Sequence, residues 1–151
     1  MESVLFTAKT LWKNTVADVS ALGGLPFYAV VVLYYALTNA AVAWKLIYAL
    51  TLLFVAVYAT KLVYFKARPD VAKRRFSSFA ERLESSSFPS VHAGRAWILY
   101  FALFHEALAL FGIALALSVC ATRVSLKRHY LSDVVAGSLL GIAVGYYVFI
   151  A

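Results

Sequence analysis

The chain has 151 residues, 64% of them hydrophobic, and a formal net charge of +7. Ordinary soluble domains are about half apolar, so this composition points to a membrane-embedded chain and excludes a basic nucleic-acid-binding domain as the source of the charge. A single cysteine, Cys120 inside an apolar run, excludes a disulfide framework, and a chain of this length supports one domain.

Residues 3–19 read as a helix with an apolar stripe (Val4, Leu5, Ala8, Leu11, Trp12) and Lys9, Lys13 and Asp18 off it. That pattern suits a helix over 1–22 lying in the membrane interface, and equally an ordinary packing helix. The N-terminus lacks a basic start, apolar core and small-residue cleavage site, so no cleavable signal peptide is expected. Gly23, Gly24 and Pro26 predict a break. Apolar runs follow over 25–37 and 41–65, and then the character changes. Residues 66–90 carry Lys66, Arg68, Lys73, Arg74, Arg75, Glu81, Arg82 and Glu84 among serines at 77, 78, 85, 86 and 87, and read as a long polar loop. The run from Val91 to Thr122 would make a helix of ~48 Å, too long to cross a ~30 Å core simply. It reads as a hairpin turning near His105-Glu106. A last run, Leu131–Ala151, carries Gly137, Gly141 and Gly145 at a spacing that permits close helix packing. The expected fold is all-α: an integral membrane helical bundle of about five transmembrane helices plus an N-terminal interfacial helix. Alternation of the spans puts the 66–90 loop and a 123–130 turn on one face.

Ionisable residues at membrane-helix ends are costly and invite a functional reading. Lys61 and Arg68 are seven apart, two helical turns on one face, with Pro69 expected to stop the helix at Arg68. Snorkelling and neutralisation of a helix dipole would explain this pair alone equally well. Ser90 is placed to cap the helix that begins at Val91, whose free N–H groups suit an anion, and His92 in its first turn suits an acid or base. His129 and Asp133 are four apart, so on a helix the carboxylate would hold one ring nitrogen and leave the other free. Read singly, Asp133 is as well explained as a cap and His129 as an interfacial residue. Together the three clusters supply cations, an anion-binding helix start, two histidines and an orienting carboxylate on one face, a set suited to phosphoryl transfer. No His, Cys, Asp or Glu cluster has metal-ligand spacing, so neither metal nor cofactor is expected.

These residues resemble the type 2 phosphatidic acid phosphatase family, which also includes vanadium haloperoxidases. The family pattern is Lys, six residues, Arg-Pro; then Pro-Ser-Gly-His; then Ser-Arg, five residues, His, three residues, Asp. Lys61, Arg68 and Pro69 match the first part, Pro89, Ser90 and His92 the second, and Arg123, His129 and Asp133 the third. Val91 stands where the family has Gly, and Thr122 where it has Ser. The resemblance covers roughly residues 40–145. It implies metal-independent hydrolysis with His129 as nucleophile, Asp133 orienting it and His92 protonating the leaving group. Lys61, Arg68, Ser90, Arg123 and the Val91 N–H would hold phosphate oxygens. The implied partners are the bilayer and a lipid phosphate, with no nucleic acid and no obligate protein partner. Polyprenyl diphosphate, phosphatidic acid and phosphatidylglycerophosphate are the candidate substrates. Similarity to the compact prokaryotic members implies a multi-pass protein of a prokaryotic cell membrane. The alternative is a non-catalytic binder of anionic head groups, which would need neither His129 nor Asp133.

Overall fold

The computed structural model describes residues 2–70, 78–104 and 108–151, with side chains from residue 10 onward except residue 84. Within these residues the chain forms α1 (Glu2–Ala21), α2 (Leu25–Thr38), α3 (Ala40–Val63), α4 (Phe79–Ser85), α5 (Val91–Phe104), α6 (Ala109–Ser125) and α7 (Leu131–Phe149). The fold is all-α, as the periodicity predicts. The expected turn at His105-Glu106 lies outside the described residues.

The bundle is organised around α5, which packs most extensively on α6 and α7 and also on α3. Leu46, Ala49, Leu53 and Val57 repeat at helical spacing along α3 and are fully buried. The outward faces are apolar as well: Val30, Leu33, Leu37, Val55, Leu110, Leu117 and Leu139 are all exposed. An apolar surface on an apolar core is the signature of a bundle solvated by lipid. Among the described residues α3 and α7 are each long and apolar enough to cross a membrane; Thr10–Ala21 and α2 reach that length only as a pair, bent by 47°, and α5 and α6 are shorter apolar helices. The bend falls at the Gly23-Gly24-Pro26 break. The chain is an integral membrane protein.

The glycines of α7 set its distance from α5. A Cβ added at Gly137 would overlap the Ser90 carbonyl oxygen, and one at Gly141 the Gly94 carbonyl oxygen. Backbone meets backbone there, so the start of α5 and the start of α7 are locked side by side. The Ser90 N–H donates to the Asp133 carbonyl at 2.9 Å across the same seam.

Three local expectations need correction. The helix carrying Lys61 ends at Val63, not at Arg68. From Tyr64 the chain is extended, with Ala67 bridged to Ser86 and the Ser87 N–H donating to the Lys66 carbonyl at 2.7 Å. Pairing with the returning segment satisfies backbone groups that a longer helix would otherwise need, and it ends α3 before Pro69 acts. Second, the 66–90 loop contains α4, started by Ser78, whose hydroxyl accepts from the Glu81 N–H at 3.1 Å. Third, α6 runs to Ser125, so Arg123 sits on its last turn and only 126–130 form the connection.

Candidate active site

Five of the expected site residues meet at one end of the bundle. Lys61 from α3, Arg68 from the extended segment, Val91 and His92 from α5 and His129 from the 126–130 connection line a cavity of about 200 Å³, joined by Tyr58 and Arg95. Lys61 and Arg68 meet because the chain doubles back after α3, not because they share a helix face. Ser90, Arg123 and Asp133 stand behind this lining and are buried.

His129 is almost fully enclosed, and its ring is held by a partner the sequence did not suggest. Its Nδ1 lies 2.7 Å from the Ser87 carbonyl oxygen and 3.9 Å from the nearer Asp133 oxygen. A carbonyl only accepts, so Nδ1 carries the proton and Nε2 is the basic nitrogen. The expected Asp133–His129 hydrogen bond is therefore not formed. Asp133 caps α7 instead, accepting from the Tyr130 N–H at 2.9 Å, while its other oxygen pairs with Lys66 Nζ at 2.5 Å. Lys66 also reaches the Ser132 hydroxyl at 2.8 Å and lies over the Tyr130 ring at 4.5 Å. The carboxylate is committed to the helix start and to this lysine, which leaves the ring to the backbone carbonyl.

Burial, with the charges of Arg123 and Arg68 next in size, pushes the His129 imidazole down from 6.5 to about 3; the Ser87 carbonyl and Asp133 oppose this only in part. The folded value lies below the unfolded one. This residue's contribution to stability is therefore whole above pH 6.5 and is lost as pH falls toward 3. The ring is neutral, hence nucleophilic, throughout the ordinary range. In ring-¹⁵N-labelled protein we expect the His129 resonances to remain those of a neutral Nδ1–H tautomer at about pH 5. An imidazolium signature there would contradict the geometry.

The cations are set by contacts from outside their own motifs. Arg123 Nη1 donates to the Ser20 hydroxyl of α1 at 2.6 Å. The Arg123 carbonyl accepts from the N–H groups of Arg128 and His129 at 3.1 and 3.2 Å, which turns the chain so that His129 faces the cavity. Arg128 pairs with Asp70 at 3.0 Å and ties that turn to the segment carrying Arg68. Ser90 does not cap α5 through its side chain: its Oγ is buried and has no partner among the described residues. That hydroxyl is a donor in reserve beside helix N–H groups that have no intrahelical acceptor. Thr122, in place of the family Ser, donates its hydroxyl to the Val119 carbonyl at 2.7 Å and so does not reach the cavity. Val91 is buried and lines the cavity with its side chain, so the space a glycine would leave is partly filled. Among the described residues no three His, Cys, Asp or Glu side chains gather as a metal site.

The family model for the PAP2 superfamily matches residues 42–151. The chain belongs to the PAP2 superfamily. Its fold is that of solved PAP2 structures. The crystal structure of Aquifex aeolicus LpxE superposes with a TM-score of 0.77 at 20% identity, over 91% of this chain and 85% of that one. The transmembrane PAP2 type phosphatidylglycerolphosphate phosphatase from Bacillus subtilis gives 0.75 at 19% identity, over 91% and 75%. No curated protein matches by sequence. Both superpositions cover more of this chain than the segment that the family model matches.

Sequence reasoning missed Ser20, Lys66, Ser87 and Arg95. Lys66 had a weak signal, lying between the motif residues Lys61 and Arg68. Ser87 acts through its backbone, which has no residue-type signature.

Proposed function

We propose that this PAP2 protein hydrolyses a lipid phosphate or diphosphate, without a metal, through a phosphohistidine on His129. The observation that carries the reading is the His129 ring with its Nδ1 anchored on the Ser87 carbonyl, in a cavity that also holds His92, Lys61 and Arg68. His129 Nε2 attacks the terminal phosphorus, and the bond from phosphorus to the leaving oxygen breaks. His92 supplies the proton to that oxygen and then accepts one from the water that releases inorganic phosphate. Lys61, Arg68 and the N–H groups at the start of α5, Val91 among them, neutralise the equatorial oxygens; Ser90 donates its hydroxyl and Arg123 adds charge from behind. Asp133 orients the site by fixing the start of α7 and by its charge near the ring. A second, wholly apolar cleft of about 410 Å³ between α2, α5 and α6, lined by residues such as Leu22, Val31, Leu99 and Leu115, suits a hydrocarbon chain.

The candidate substrates are a polyprenyl diphosphate, phosphatidic acid and phosphatidylglycerophosphate. The last agrees with the name of one structural neighbour. The test is phosphate release in detergent micelles from each of the three in the presence of excess chelator. We expect release from at least one lipid at a rate the chelator does not change. No release from any of them, with a related enzyme active in parallel, would favour a non-catalytic binder of anionic head groups.

A further inference from the structure

Arg95 belongs to no family motif, and its position asks for an anion. It lies three residues after His92 on the same face of α5, about 4.5 Å further along the helix and away from the loop face. It is 5% exposed and lines the cavity. One nitrogen, Nη1, donates to the Gly23 carbonyl at 3.0 Å. The Nε is buried without a partner among the described residues, and no ion pair there joins Arg95 to a carboxylate. Its guanidinium is instead flanked by the Phe54 and Tyr28 rings, at 5.1 and 6.0 Å. A guanidinium enclosed by apolar helices with one carbonyl and two ring faces is undersupplied with negative charge.

Resting on the proposed hydrolysis, the direction of that reaction says where the missing charge comes from. The motif cations surround the phosphoryl group that His129 receives. In that reaction His92 stands on the leaving-group side, and Arg95 lies one turn beyond it, deeper in the bundle. We propose that Arg95 binds a second phosphate, so that the substrate is a lipid diphosphate and the leaving group a lipid monophosphate. His129 Nε2 bonds to the terminal phosphorus while the bond from that phosphorus to the bridging oxygen breaks. The bridging oxygen keeps the electron pair and departs on the lipid monophosphate, its charge met by Arg95 and the His92 proton. Water then cleaves the phosphohistidine to inorganic phosphate.

The experiment compares farnesyl diphosphate with farnesyl monophosphate, which share one hydrocarbon, as substrates of the wild-type chain, Arg95→Met and Arg95→Lys. Wild type is expected to favour the diphosphate in kcat/KM. Arg95→Met loses roughly 10- to 100-fold more on the diphosphate than on the monophosphate, the worth of a charged hydrogen bond. Arg95→Lys, which retains a donor for the Gly23 carbonyl but not the planar fork, falls between them. Equal losses on both substrates would make Arg95 a tether between α5 and the α1–α2 break and overturn the proposal. A wild type that prefers the monophosphate overturns it without any variant and leaves the hydrolase reading standing. A wild type inactive on both that still releases phosphate from phosphatidic acid or phosphatidylglycerophosphate overturns this proposal and leaves the hydrolase reading standing, whereas inactivity on every lipid removes both.

Discussion

His129→Ala is expected to lower phosphate release from every substrate by roughly 10³-fold or more, the usual cost of losing a nucleophile. The ring is enclosed, and its Nδ1–H answers the Ser87 carbonyl at 2.7 Å. Alanine therefore also leaves a buried acceptor unpaired, at a cost of about 1–3 kcal/mol. That loss of stability must be separated from the loss of chemistry. His129→Asn places an amide nitrogen near the position of Nδ1, where it donates to the carbonyl but is not nucleophilic, so it should recover the melting temperature and none of the turnover. Binding to vesicles rich in anionic lipid should survive in both variants, since Lys61, Arg68 and Arg123 remain. Substantial turnover in either variant would place the nucleophile elsewhere.

Gly137→Ala should damage the protein by a different route. The added methyl meets the backbone of Ser90, which has no rotamer to change, so α5 and α7 must separate. We expect a loss of about 3 kcal/mol in stability, at the upper end for overpacking. The same displacement stretches the link from the Ser90 N–H to the Asp133 carbonyl and moves His92 relative to His129. A shift of about 1 Å there costs on the order of 10²-fold in rate. Gly112→Ala is the control, because its Cβ would meet the Tyr100 Cα at 3.1 Å, tight but far less severe. Thermal melting in detergent and kcat on the preferred lipid, measured for both variants, separate these expectations. A Gly137→Ala protein that melts with wild type would mean that the two helices do not approach so closely.

The helices, the break at Gly23-Gly24-Pro26 and the convergence of three separated motifs were legible because each rests on residue type and period. The break needs glycine and proline, the bundle needs apolar runs, and the site needs cations and histidines at helix ends. Features that depend on backbone were not legible. The Ser87 carbonyl that anchors His129 and the Gly23 carbonyl that holds Arg95 exist at every position of every chain, and only the fold selects them. Asp133 shows the same limit from the other side. Its spacing from His129 permits a hydrogen bond, but the nearby Tyr130 N–H and Lys66 ammonium compete for its oxygens and win. The end of α3 was misplaced because Pro69 is a visible stop, whereas the pairing of Ala67 with Ser86 that ends the helix earlier involves residues nineteen apart in sequence.

The two short central helices have a consequence for the surrounding lipid. Among the described residues α5 and α6 hold 14 and 17 residues and rise about 21 and 26 Å, less than a hydrocarbon core of ~30 Å. A wall of that height produces negative hydrophobic mismatch, and a bilayer relieves it by thinning next to the protein. Head groups beside α6, whose Leu110, Phe111 and Leu117 face outward, are then expected to be drawn down toward the level of Arg123 on its last turn, which on the proposed function shortens the way of a lipid phosphate to the cavity. The height of these helices thus makes the thickness of the host membrane part of the substrate's path to the cavity.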